Sequence, residues 1–84
     1  MGRKEKLLAR LQKRPKDFTW DELTSLLKTL GYVQRKSGKT GGSRRRFVHP
    51  TGPIITLHKP HPNRIVKMYV IDYILELLRR EGMI

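Results

Sequence analysis

Three histidines and three adjacent arginines lie near one another in the second half of the chain. The histidines are His49, His58 and His61, and the arginines occupy positions 44–46. Cleavage of RNA without a metal ion needs a base for the proton of the ribose 2′-hydroxyl and an acid for the leaving oxygen. Histidine titrates in the useful pH range, and arginine can stabilise the charge that develops on the phosphate. These residues therefore indicate ribonuclease chemistry, with a structural or solvated role as the alternative for each histidine.

The composition argues against metal-dependent chemistry. The chain has no cysteine, and no aspartate or glutamate lies between Glu22 and Asp72. Two-metal nucleases hold their ions with carboxylates, and structural zinc sites commonly use thiolates. We therefore expect no metal and no cofactor. The absence of cysteine also fits a reducing compartment, so we expect a cytoplasmic protein.

The net charge narrows the class of partner. The chain has 84 residues and a formal net charge of +12, which indicates a polyanionic partner. Nucleic acid is the first candidate, and the charge does not distinguish RNA from DNA. An acidic protein and an anionic membrane surface are competitors, and a basic chain that is merely soluble is the plainest alternative. No apolar run approaches the roughly 20 residues that span a bilayer, so we expect no membrane segment.

The elements that must position these side chains can be read from periodicity. Residues 4–14 form a short basic helix. Thr19 and Glu22 have the spacing of a capping box at the start of a second amphipathic helix, and Gly31 is the expected residue after its end. Residues 65–80 show helical periodicity again. A chain of this length predicts one domain.

Three short strands lie between the second and third helices. They are predicted at residues 32–36, 43–49 and 54–58, with turns at 37–42 and 49–53. The element order is therefore α-α-β-β-β-α. This is an α+β fold in which a three-stranded antiparallel sheet carries helices on one face and leaves the other face to solvent.

Alternation along the strands assigns the two faces of this sheet. Phe47, Ile55 and Leu57 are the apolar residues that should face the core. The opposite face then carries four polar residues: Arg44, Arg46, Thr56 and His58. With residues 49–53 as the turn, Arg46 lies opposite Thr56 and Arg44 lies opposite His58, while Arg45 points to the core side.

Two interpretations fit this run of arginines. Guanidinium groups match phosphate geometry, so an RNA backbone would relieve their mutual repulsion. Alternatively, the run is a solvated charge cluster that keeps the strand from aggregating. On the first interpretation, the RNA-binding residues are predicted to be Lys36, Lys39, Ser43, Arg44, Arg45, Arg46, Thr56 and Lys59.

Several spaced segments together resemble the HicA family, the small toxins of toxin–antitoxin pairs. They are a capped helix ending in LLKTLGY, the segment GGSRRRF followed by HP, the strand IITLH, a PH pair and a C-terminal helix ending in REGMI. The resemblance covers about residues 19–84, which form the family-like core, and residues 1–17 form an N-terminal basic extension of the same domain. It implies a fold similar to the double-stranded-RNA-binding domain, cleavage of mRNA, and neutralisation by an acidic antitoxin, HicB.

The family's hallmark is Gly-Ser-His followed, after two further residues, by an aromatic residue. Gly42, Ser43 and Phe47 match this motif, but Arg44 occupies the histidine position on which cleavage in the family is thought to depend. Catalysis would then pass to His58 or His61. Three hypotheses remain: a toxin that cleaves RNA, a non-catalytic RNA-binding module of the same fold, and a basic module that only docks an acidic protein.

Overall fold

The computed structural model of the chain describes residues 2–36, 44–60 and 63–84. Its helices and strands follow in the order α1 (Arg3–Gln12), α2 (Trp20–Thr29), β1 (Val33–Lys36), β2 (Arg44–Val48), β3 (Ile55–His58) and α3 (Met68–Arg80). The predicted α+β class and element order are confirmed. The predicted turn at 37–42 lies outside the described residues.

The predicted capping box begins α2. The Thr19 hydroxyl accepts a hydrogen bond from the Glu22 amide at 3.1 Å, and the Glu22 carboxylate accepts one from the Thr19 amide at 3.0 Å. Phe18 before the cap is fully buried, so the chain enters the helix at a fixed angle. After the helix, Gly31 has φ of 101°, a left-handed conformation that glycine adopts without strain.

The sheet is antiparallel with strand order β1-β2-β3. Its register places Arg44 opposite His58 and Arg46 opposite Thr56, which confirms the predicted pairing. Side chains that face the helices are buried, and side chains of the alternate positions are exposed along β3. The buried sheet residues are Phe47, Ile55 and Leu57.

The hydrophobic core joins the sheet to all three helices. Its buried side chains come from α1, α2, the sheet, α3 and the segments between them: Leu11, Phe18, Trp20, Leu23, Leu26, Leu27, Tyr32, Phe47, Ile55, Leu57, Val66, Ile71, Ile74, Leu75, Leu77 and Leu78. The helical periodicity of residues 65–80 corresponds to a buried face of α3 from Ile71 to Leu78, whereas Val70 is only half-buried. The tilted contact of the Trp20 and Phe47 rings, 5.9 Å between centroids, links the start of α2 to β2.

The helix predicted from residue 65 begins later, at Met68. The preceding residues are extended, because their backbone bonds to the entry of α2 instead of to a helical turn. The Trp20 amide donates to the carbonyl of Arg64 at 2.7 Å, and the Val66 amide donates to the carbonyl of Phe18 at 2.8 Å. The segment 63–67 therefore ties the start of α3 to the start of α2.

Ion pairs attach α1 to the other helices. Arg10 contacts Glu22 at 2.7 Å and Asp17 at 3.0 Å. Arg14, just after α1, donates a bidentate pair of hydrogen bonds to the carboxylate of Asp72 in α3, at 2.7 and 3.0 Å. These contacts lie at the edge of the core, where α1 also buries Leu11. Within the ranges given above, no helix is long and apolar enough to cross a membrane.

Candidate nucleic-acid interface

One face of the sheet is cationic and accessible. We call it the open face and define it by five exposed residues: Arg35, Arg44, Arg46, Thr56 and His58. Directly opposed residues on paired strands project to the same side, so the registers form two cross-strand rows. One row joins residues 35, 46 and 56, and the other joins residues 44 and 58. The open face thus groups three guanidinium groups with a histidine and a hydroxyl.

The acidic residues are unevenly distributed along the chain. All seven carboxylates of the sequence lie before residue 23 or after residue 71, in or beside the helices. The strands carry none. Like charges directly opposite on adjacent strands, such as Arg35 and Arg46, are destabilising by themselves. An anion of extended shape that lies across the open face reduces this repulsion, and a phosphate backbone has that shape and charge.

Arg45 differs from its two neighbours. It is half-buried on the side of the sheet that faces the core, as alternation predicts, and its guanidinium donates to the carbonyl of Arg44 at 3.0 Å. Lys36 lies opposite Arg45 in the register. The side chain of Lys36 is outside the described part of the chain, as are Lys39, Ser43 and His61.

Arg35 belongs to the open face, although the sequence did not single it out. The signal was present, since Val33 and Arg35 alternate with Gln34 along β1. The pairing of β1 with β2 decides which of the alternating side chains of β1 point to solvent. The connection between these strands is too long in sequence to predict that register. The structure sets Arg35 opposite Arg46.

His49 has a structural role, which was the alternative for each histidine. Its Nδ1 accepts hydrogen bonds from the backbone amides of Thr51, at 3.1 Å, and Gly52, at 2.8 Å. The proton must then be on Nε2, which donates to the carbonyl of Leu30 at 3.1 Å. The ring also lies 4.9 Å from that of Tyr32. His49 therefore joins the end of α2 to the turn between β2 and β3.

A cavity of about 730 Å³ opens beside the open face. It lies between the end of β3, the segment 63–67 and the start of α3, with Trp20 in its wall. Its lining includes three lysines, at positions 16, 59 and 67, and none of the described residues that line it is acidic. His58 lies where the open face and the cavity meet. Lys59, which the sequence assigned to RNA binding, lines the cavity.

The sequence did not predict this cavity, because its walls come from segments far apart in the chain. Lys16 precedes α2, Lys59 follows β3 and Lys67 precedes α3. No spacing pattern links such residues. In the described ranges, no three histidine, aspartate or glutamate side chains are grouped so that they could hold a metal ion.

Comparison with protein families now assigns the chain to a class. The family model described as HicA toxin of bacterial toxin-antitoxin matches residues 20–79, which run from the first residue of α2 almost to the end of α3. This places the chain in the class of toxins from toxin–antitoxin pairs. The chain belongs to the HicA toxin family, and α1 lies outside the matched region.

Comparison with curated proteins and with solved structures gives no significant match. The likeness of the fold to the double-stranded-RNA-binding domain therefore stays a prediction.

Proposed function

We propose that this HicA-family toxin binds RNA on the open face of its sheet and cleaves mRNA there without a metal ion. The observation that carries the proposal is the position of His58 directly opposite Arg44, with Arg46 and Thr56 in the next row. This arrangement puts a titratable base within reach of a phosphate that the arginines hold. No carboxylate of the sequence lies in the strands to repel that phosphate.

The proposed reaction is an attack of the ribose 2′-oxygen on the adjacent phosphorus. His58 takes the 2′-hydroxyl proton, and the new 2′-oxygen–phosphorus bond forms as the bond to the 5′-oxygen breaks. The leaving 5′-oxygen takes up a proton from a second group or from water, and His61 is the alternative to His58 as the base. Arg44 and Arg46 stabilise the negative charge of the transition state. The products are a 2′,3′-cyclic phosphate and a 5′-hydroxyl end.

An acidic HicB-like antitoxin is the proposed protein partner. Complementary charge would steer it to the open face, where it would compete with RNA for the same arginines. We place this competition in the cytoplasm, where mRNA is found. The proposed RNA-binding set remains Lys36, Lys39, Ser43, Arg44, Arg45, Arg46, Thr56 and Lys59, to which the register adds Arg35.

Arg44 supports a second candidate function. It occupies the position of the family's motif histidine, and an arginine side chain offers no proton acceptor, so it cannot act as a general base. A chain that lost its catalyst would still bind RNA through the open face. This second candidate is a non-catalytic RNA-binding module.

Induced expression separates the two candidates. We expect wild type to arrest growth and to break cellular RNA, and His58→Gln to lose both effects, since loss of a general base costs about 10²–10⁴-fold in rate. His61→Ala tests the second histidine, and Gln34→Ala, a neutral change at an exposed β1 residue, is the control. Arrest that neither histidine variant relieves would reject the assigned base, and a harmless wild type that binds RNA would support the module.

A further inference from the structure

The cavity beside His58 has two kinds of wall. One part is apolar, with Trp20, Val66 and Met68 among its lining residues. The other part is cationic, with three lysines from three separate segments of the chain. Ligand sites in proteins commonly occupy about 300–1,000 Å³ and combine an apolar lining with a few convergent polar groups. At about 730 Å³, this cavity has the size and the lining of such a site.

We propose that this cavity is a subsite for a single nucleotide of the bound RNA strand. The inference rests on the proposed binding of RNA to the open face and adds a position to it. A nucleotide has a flat apolar base and a charged phosphate, which correspond to the two kinds of wall. His58 borders both the open face and the cavity, so a strand that passes the arginines at His58 can place its next nucleotide in the cavity.

Tyr69 supplies a second feature of the site. It lines the cavity, and the residue is 70% exposed. Aromatic side chains at nucleic-acid sites serve as platforms on which bases stack, and this contact tolerates any base. Tyr69 thus stands at the rim of the cavity, where it can stack on an entering base.

The positive charge of the cavity disfavours cationic ligands. The described residues of its lining include Lys16, Lys59 and Lys67 and no carboxylate, whereas three arginines elsewhere are paired with carboxylates of α2 or α3. A cation or a basic peptide would be repelled. Lysine carries a compact charge on a flexible side chain, which suits a phosphate that must enter and leave the cavity. The open face instead presents arginine to the RNA strand.

Trp20 makes the proposal directly measurable. It is the only tryptophan of the sequence and it lies in the cavity wall, so a ligand that enters the cavity should change its fluorescence. The probes are the four nucleoside 5′-monophosphates, each corrected for its own absorbance, compared with the free nucleosides and with inorganic phosphate. We expect the monophosphates to change the Trp20 signal at lower concentration than either of the two partial ligands.

Variants of the lining test where the probe binds. Lys67→Gln and Lys16→Gln should each weaken monophosphate binding at least several-fold, whereas Lys4→Gln, an exposed charge change on α1, should leave it unchanged. Val70→Phe fills the cavity without a change of charge and should abolish the response. Tyr69→Ala, at an exposed position, should weaken binding about tenfold without a loss of fold. Circular dichroism and thermal melting of each variant confirm that it is folded.

The possible results separate this inference from the proposed function. Equal responses in wild type, Val70→Phe and the lysine variants would overturn the subsite, even if an RNA oligonucleotide still binds through Arg44 and Arg46. The inference is also overturned if no monophosphate is bound and an acidic antitoxin alone changes the Trp20 signal. Monophosphate binding without any binding of RNA would support the cavity as a nucleotide site and reject RNA binding by the open face.

Discussion

Arg44 lies directly opposite His58 across the β2–β3 hairpin, and both side chains are exposed. Directly opposed residues of antiparallel strands have Cβ atoms roughly 4.5–5.5 Å apart. A permanent cation and the strand's titratable group therefore share one side of the sheet. A shift of one residue in register would turn His58 towards the core and bring Leu57 to the surface, so the pairing depends on the buried residues beneath it.

RNA binding should weaken steeply as salt is added. About five phosphate contacts on single-stranded RNA give a log–log slope of binding constant against salt near −3.5. The magnitude of the slope should fall by the share of about one phosphate contact in each of three variants: Arg35→Ala, Arg44→Ala and Arg46→Ala. Arg45→Ala, a matched change on the core side of the same strand, should have a smaller effect. A flat salt response in wild type would contradict binding through phosphates.

Arg44→His tests what the position of the family's motif histidine contributes. If wild type is a binding module without a catalyst, the variant should gain RNA cleavage and toxicity, because it restores a titratable group opposite His58. If wild type already cleaves RNA through His58, the variant should instead lose part of its RNA affinity. Growth after induction and the ends of RNA cut by the purified protein distinguish the two results. If neither wild type nor Arg44→His cleaves RNA, and the variant binds RNA as wild type does, then this position does not decide catalysis.

His49 should matter for stability and not for chemistry. His49→Ala removes an acceptor from two backbone amides and a donor to Leu30, and we expect a loss of about 2 kcal/mol in the free energy of unfolding. His49→Asn should lose less, because its side-chain oxygen can still accept from the following turn. Denaturant titration measures both variants. Equal losses for both would indicate that the turn bonds contribute little.

We propose that α1 belongs to the same folding unit as residues 19–84, although the family match begins at residue 20. Leu11 is completely buried in the core, so Leu11→Ala should cost about 2–5 kcal/mol. Leu8→Ala, at a half-buried position of the same helix, is the milder control. Deletion of residues 2–14 should lower the melting temperature further. A truncated chain that melts like wild type would show that α1 is dispensable.

Acid should weaken the contact between α1 and α2. The hydrogen bond from Arg10 holds the pKa of Glu22 below its ordinary value of 4.5, and Arg14 lowers the pKa of Asp72 in the same way. A lowered folded-state pKa gives stability that is complete above the ordinary value and is lost as the pH falls through the folded-state value. Glu22→Gln keeps a capping side chain but cannot titrate.

Wild type should therefore lose more unfolding free energy than Glu22→Gln as the pH is lowered from about 5 to about 3. Denaturant titration at each pH gives the two profiles. Parallel profiles would show that the Arg10–Glu22 contact contributes no pH dependence, whatever its geometry.

The local signals of the sequence determined the order of the elements and four of the five residues of the open face. The Thr19–Glu22 cap, the amphipathic pattern of α2 and Gly31 each act within one or two turns of chain, so they can be recognised without knowledge of the fold. The short turn between β2 and β3 likewise fixes the register by its own length. The pairing of Arg44 with His58 followed from that turn.

Only the tertiary structure decided what depends on contacts between distant segments. The side of the sheet on which Arg35 lies depends on the register of β1 with β2. The late start of α3 depends on the backbone hydrogen bonds between the segment 63–67 and the start of α2. The structural role of His49 depends on its hydrogen bond to the end of α2. The cavity is the clearest case, since its lysines come from three separate segments. Distant segments come together because they bury a common hydrophobic core. Burial of that core does not require any particular sequence spacing between the residues at its edge, so the sequence carries no pattern that predicts them.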